Sequence, residues 1–318
     1  MEKMSKGLVS IIIVTAGVQG HLKTLLDSIE RQTHQASETI IIDNSINGIA
    51  ITLPKWAKLY TNGKNLFYCQ ALNLGVKESK GEFILCLNDD VVLGERFIKE
   101  ALKGFFISPK IGMVSGKIMR SDKKILDSTG LFLSILFTAT ERGYGALDKG
   151  RFEREQYIFG VNGAVAFYRR KMLEDIKINS DYFDEDYRIF YEDLDIAWRA
   201  QNFGWRGYYM PKAVAFHARG ATVRGSAGVS KPYARHYLSD DLHLDLLKNR
   251  YITIIKNASF ISLFIHLPFI FIYDLASLVY IILFRKRLTK KMPLNFKYLK
   301  VAVMKRKIIK NMQLFQKK

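Results

Sequence analysis

The chain has 318 residues, 48% hydrophobic and 25% charged, with 49 Lys and Arg against 30 Asp and Glu for a formal net charge of +19. That length supports one large domain or a domain with an appendage, and the ordinary apolar content excludes wholesale disorder and a polytopic membrane protein. The surplus charge calls for an anionic partner, but thirteen basic residues and no acidic one lie between Arg285 and Lys318, so the first 284 residues carry only the remaining +6. A charge concentrated in the tail argues against a nucleic-acid groove across the fold, and no nucleic-acid partner is expected.

The two cysteines, Cys69 and Cys86, belong to no CxxC pair and stand at no metal-ligand spacing, which predicts core thiols in a reducing compartment. Residues 1–7 are polar and charged, with no signal-peptide apolar region ahead of the first strand.

Leu8 to Thr15 is an uninterrupted β-branched run, the pattern of a parallel strand buried on both faces. Leu22, Leu25, Leu26 and Ile29 then recur at helical spacing, and Glu38 to Asp43 is a second buried strand. A short strand near 58–60, a helix over 71–78, the strand 82–87 and a helix from about Glu95 continue the alternation. Alternating strands and helices predict an α/β, Rossmann-like, mostly parallel sheet whose ligands gather at the carboxyl ends of the strands. Short strand candidates at 111–119, 163–168, 207–210 and 213–216 predict a mixed extension, and residues 191–202 a helix stopped by Gly204.

Asn88-Asp89-Asp90 leaves a buried strand at the ligand edge, where oxygen ligands select Mg²⁺ or Mn²⁺ and a cation there neutralises a leaving diphosphate. The same triplet suits a strand-to-helix turn with an Asp cap. Asp43 ends the second strand and can bond a base or ribose, although Asp-Asn-Ser is also ordinary turn chemistry. Asn65 and Asn73 bracket a helix start, able to fix the loop against the fourth strand edge or simply to cap the helix. Glu192, Asp193 and Asp195 share one helical turn. A general base for an attacking hydroxyl belongs in such a place, and Asp193 is favoured because first-turn acids complement the helix dipole and Asp195 can pair with Arg199. His217 ends a short apolar strand and is either a metal or diphosphate contact or a packed core histidine.

In order along the chain, Val9 to Thr15, Ile41 to Ser45, Asn65 to Gly75, Leu87 to Val91, Gly160 to Ala164 with Arg169, and Phe183 to Arg199 resemble glycosyltransferase family 2, in its rhamnosyltransferase-like bacterial polysaccharide branch. Each stretch is weak alone; the ordered set covers roughly residues 8–250. The resemblance implies a GT-A fold and inverting transfer from a nucleoside-diphosphate sugar with Mg²⁺ or Mn²⁺. By position it implies Asp43 at the base, Asp90 on the metal, His217 near the metal or diphosphate and Asp193 as the catalytic base, with Thr15, Asn65, Asn73, Asn88, Asp89 and Glu192 around the substrate. Two departures stand out: Ala16-Gly17 follows Thr15 where the family has an aromatic and Asn, and Asn88 replaces the first Asp of D-x-D.

Residues 1–250 are thus expected to form the transferase domain and 251–318 a C-terminal helical region. Ser259 to Phe284 is almost wholly apolar but contains His266, Pro268 and Asp274, with basic residues on both flanks. A single span shows a one-sided basic bias, so a helical hairpin or in-plane segment fits better, on the cytoplasmic face of the membrane beside a lipid-linked or glycan acceptor. The rival function is an inactive glycan-assembly scaffold of the same fold.

Overall fold

The computed structural model describes residues 7–17, 20–46, 48–219, 239–291 and 296–316. β1 (Val9–Thr15), α1 (His21–Glu30), β2 (Glu38–Asp43), β3 (Ala57–Thr61), α2 (Phe67–Glu78) and β4 (Phe83–Asn88) build a parallel unit with strand order β4-β1-β2-β3. β5 (Val91–Leu93), α3 (Phe97–Phe105), β6 (Ile111–Arg120), β7 (Leu126–Ser128), β8 (Leu131–Leu133), β9 (Ala139–Glu141) and β10 (Gln156–Ile158) follow. β11 (Val165–Arg169), α4 (Arg170–Ile176), α5 (Glu192–Asn202) and β12 (Arg206–His217) complete the sheet, in order β10-β12-β6-β11-β4-β1-β2-β3. Its three longest ladders, β6 with β12, β1 with β2 and β1 with β4, are parallel. The fold is therefore α/β with a mostly parallel sheet and an antiparallel extension.

The unbroken apolar run of β1 has the predicted cause. Val9, Ile11 and Ile13 pack with α1 and α3 on one face, while Ile12 and Val14 pack with α2 and α5 on the other. Cys69 and Cys86 are free and fully buried in the second of these cores. The strand candidates at 207–210 and 213–216 are one strand, β12, whose register against β6 shifts between Met210 and Val214. Pro211 cannot donate to a ladder and falls within that irregularity. α2 begins a turn earlier than its spacing suggested, with Phe67 at φ 58°.

α6 (Asp240–Asn257) runs through the boundary expected at 250 and packs on α5. α7 (Phe260–Phe284) stays helical through Pro268 and lies antiparallel along α6. Asp274 pairs with Arg250, Tyr280 stacks on His243, and Arg285 bonds Asp240 at 2.8 Å. α8 (Lys286–Lys291) and α9 (Phe296–Gln316) end the chain, and α9 returns onto α6. Much of α7 faces outward and is apolar: Phe264 is 79% exposed, and Phe260, Ile261, Phe271, Ile272, Leu283 and Phe284 are all more than half exposed.

Candidate active site

Parallel register levels the strand ends. Thr15 stands opposite Asp43 and Val14 opposite Asn88, so Asp89 arrives beside Thr15, whose hydroxyl donates to Asp89 Oδ2 at 2.6 Å. Burial raises the Asp89 pKa, against that hydrogen bond. Asp43 Oδ1 accepts from the Ser45 backbone at 2.9 Å and from its hydroxyl at 2.6 Å, an Asx turn that aims the carboxylate across the sheet edge. Asn88 accepts from Tyr68 Oη at 2.8 Å.

β5 carries the chain on from Asp90 and pairs antiparallel with the end of β12, with Val91 opposite His217. His217 Nε2 thereby comes 3.2 Å from Asp90 Oδ1, while Nδ1 is 2.9 Å from Asp127 Oδ2 on β7. Burial disfavours charge on His217, but hydrogen bonds to Asp127 and Asp90 prevail and lift it to about 9. Asp127 is fully buried and also accepts from Arg219. Its carboxylate is held below the usual range because His217 and Arg219 outweigh burial.

The carboxylates of α5 arrive through a constrained turn. Phe190 and Tyr191 both take left-handed backbone, φ 69° and 71°, sparsely populated by such side chains. Asn249 of α6 clamps this turn, donating to the carbonyls of Ile189 and Phe190 at 2.8 Å each. The turn delivers Glu192 and Asp193 to the backbone of Gly163, whose N–H donates to Asp193 Oδ2 at 3.2 Å. A Cβ on Gly163 would stand 3.2 Å from Glu192 Oε1, so only glycine allows this approach comfortably. Leu194 N–H donates to Asp193 Oδ1 at 2.7 Å.

Glu192 is buried against Tyr68, Leu72, Cys86, Tyr168 and Phe183. Its Oε2 has no hydrogen-bond partner among the described residues. That apolar burial, with Asp193 beside it, pushes Glu192 up to about 8, and burial also raises Asp193. A third carboxylate, Glu141 at the end of β9, accepts from Asn162 at 2.7 Å and from Ser128; burial and the Asp193 charge push it to about 7. Such perturbed acids gathered at a sheet edge are characteristic of functional sites.

Asp195 faces the other way. It is fully buried, 2.9 Å from Arg199 and from Lys256, and accepts from Asn257 at 2.8 Å. Its pKa is lowered because Lys256 and Arg199 overcome burial.

The family model for "Glycosyl transferase family 2" matches residues 10–177, more than half of the chain. The chain belongs to glycosyl transferase family 2. The curated poly-β-1,6-N-acetyl-D-glucosamine synthase of Staphylococcus epidermidis is 25% identical over 159 residues, 49% of this chain and 35% of the synthase. The Staphylococcus aureus enzyme of that name is 24% identical over the same length. The chain thus spans about a third of the length of these relatives. Among solved structures, GalNAc-T7 with UDP, GalNAc and Mn²⁺ superposes with TM-score 0.57 at 12% identity, over 78% of this chain and 48% of that one. S. aureus TarS superposes with TM-score 0.51 at 14% identity, over 79% and 40%. These neighbours identify the fold as GT-A.

The chain therefore brings Thr15, Asp43, Asn88, Asp89, Asp90, His217, Glu192 and Asp193 to one edge of its sheet. Asn65 and Asn73 are used otherwise. Asn65 caps the Phe67 N–H at 2.7 Å, and Asn73 exchanges hydrogen bonds with the Phe183 backbone at 2.8 and 2.9 Å, so Tyr68, not either asparagine, reaches the strand-four edge. Asp127, Glu141 and Arg219 were not singled out in the sequence, and Asn162 stood only within the matching stretch Gly160 to Ala164. The Gly-bearing segment Ala218 to Thr222 that follows His217 lies, from residue 220 on, outside the described residues.

Among the described residues no cluster of three or more His, Cys, Asp and Glu forms a metal site. Asp90 and His217 could nevertheless hold Mg²⁺ or Mn²⁺ together with oxygens of the substrate, the ion displacing the proton that His217 Nε2 shares with Asp90. They supply one carboxylate and one imidazole 3.2 Å apart, and Asp127 fixes the far ring nitrogen as the outer carboxylate of a metal-bound histidine does.

Proposed function

We propose that the protein is an inverting glycosyltransferase that moves a sugar from a nucleoside-diphosphate donor to a lipid-linked or glycan acceptor in cell-surface polysaccharide synthesis. The observation that carries this is Asp193, fixed by two backbone N–H groups at the ligand edge with its ring of raised carboxylates. The acceptor hydroxyl attacks the anomeric carbon, its proton passes to Asp193, and the bond from that carbon to the diphosphate breaks as the nucleotide leaves. One displacement with one base inverts the anomeric centre and needs no covalent nucleophile. Burial raises the Asp193 pKa, which makes its carboxylate a stronger proton acceptor.

Thr15, Asp43, Asn88 and Asp89 line the nucleotide side, with Asp43 towards the base. Asp90 and His217 would hold Mg²⁺ or Mn²⁺, which supplies charge neutralisation of the departing diphosphate. A binding-only scaffold would have no use for a buried acid held at about 8 next to a base-competent aspartate. UDP in the solved neighbours supports a UDP-sugar, and dTDP-rhamnose is the donor suggested by the rhamnosyltransferase-like motifs.

We assign residues 1–250 to catalysis and 251–318 to docking on the cytoplasmic membrane face, with α6 shared between the two. α7 is tied to α6 through Arg250 with Asp274, His243 with Tyr280 and Asp240 with Arg285, so crossing a bilayer would drag Asp240, His243 and Arg250 towards hydrocarbon. An in-plane helix with its apolar face in the acyl boundary avoids that cost, and the basic α8 and α9 meet anionic headgroups. Transfer of label from UDP-hexoses and dTDP-rhamnose to lipid-linked glycans, with Mn²⁺ or Mg²⁺, tests the reading; absence of transfer from every nucleotide sugar defeats it.

A further inference from the structure

We propose that Arg120 seats a phosphoryl group, bound side-on through Nε and Nη2 beside the Asp90–His217 pair; the inference rests on the transferase reading above. Arg120 ends β6 directly opposite His217 in the ladder and is 7% exposed. Its Nε and Nη2 are buried and have no hydrogen-bond partner among the described residues. These are the two donors on one edge of the guanidinium, the fork that engages two oxygens of one oxyanion.

Among the described residues none offers Arg120 an acceptor within hydrogen-bond range there. The nearest carboxylate, Asp127, is 3.8 Å from Nε, beyond hydrogen-bond range, and its two oxygens are already engaged by Arg219 and His217. Arg120 and Arg219 both stand over the Tyr144 ring, 4.9 and 4.6 Å from its centroid, so two guanidinium groups share one carboxylate. A buried cation without a matched acceptor is costly unless a ligand completes it. An oxyanion with two free oxygens at this edge does so. Two phosphates meet that description: the diphosphate of the donor, or a phosphate carried by the acceptor.

The test uses the full chain with Mg²⁺. Inorganic phosphate, UDP and uridine are titrated calorimetrically into the parent, Arg120→Gln, Arg120→Lys and the exposed control Lys123→Gln. Phosphate affinity is expected to fall about tenfold in both Arg120 variants and to hold in Lys123→Gln, and Arg120→Gln is expected to melt no lower than the parent without ligand. If UDP weakens in parallel, the seat takes the donor diphosphate; if UDP is unchanged and the KM of a phosphate-bearing acceptor rises instead, it takes the acceptor phosphate. Unchanged phosphate affinity in Arg120→Gln overturns the proposal, as does a melting loss of several degrees with phosphate binding intact in Arg120→Lys, the mark of a structural arginine. A parent protein that binds phosphate through Arg120 but no nucleotide would sink the transferase reading alone.

Discussion

Lys256 of α6 holds Asp195 of α5 across a 2.9 Å ion pair with both side chains excluded from solvent, two residues along the chain from Asp193. The same ammonium bonds Asp184, which Lys305 of α9 also reaches, and those two lysines hold Asp184 well below the usual carboxylate range against its burial. The C-terminal helices are therefore wedged under the helix that presents the candidate base. Removing one partner leaves a buried charge uncompensated, so Asp195→Asn and Lys256→Met are each expected to lose roughly 3 kcal/mol or more of stability. Chemical denaturation measures this, and stabilities equal to the parent would show that the wedge is dispensable.

Membrane docking has a cleaner probe than truncation, because deleting 259–318 also removes Lys305. Phe264→Ser and Phe271→Ser alter only the outward face of α7. Together they are expected to weaken binding to anionic vesicles by about tenfold, from about 0.8 kcal/mol per buried CH₂ and partial immersion, without lowering the melting temperature. Vesicle co-sedimentation reads the effect, and undiminished binding would remove α7 from the interface.

Glu192 gives a pH signature. Its folded pKa of about 8 lies above the value of 4.5 for an exposed glutamate, so the folded state binds the proton more tightly. Stability is therefore expected to fall as pH rises from about 5 to 8. Glu192→Gln should reduce that slope, leaving the contributions of Glu141, Asp193 and, above about pH 6.5, His217. Melting curves across this range with identical slopes for parent and variant would contradict the assignment.

Asp127 bonds the ring nitrogen of His217 that faces away from Asp90. Asp127→Asn is expected to weaken Mn²⁺ binding in the presence of UDP by about 10- to 100-fold, the usual loss when such an outer partner is changed. Calorimetric titration of Mn²⁺ decides it, and equal affinities would mean that His217 does not serve the metal.

The parallel half was legible because β1, β2 and β4 are continuous apolar runs whose cause, burial on two faces, leaves no other pattern. Pairing of Asp195 with Arg199 was legible too, since four residues on a helix are neighbours. Asp127 and Glu141 were not: Asp127 is the middle residue and Glu141 the last of a three-residue strand, and each acquires meaning only through long-range pairing of β7 with β6 and of β9 with β8. The charge of the tail was counted correctly but its use was half hidden. Arg285, Lys291 and Lys305 pair with Asp240, Asp241, Asp184 and Asp186, acids that lie 45 to 121 residues away.

Asp193 is the group on which proton removal from the acceptor is proposed to depend. Single-turnover transfer from the best donor, measured for the parent and Asp193→Asn at saturating nucleotide sugar, is expected to show a rate loss of about 10²- to 10⁴-fold, the usual contribution of a general base, while UDP affinity stays within about twofold. An Asp193→Asn protein that transfers sugar at the parent rate would contradict that role.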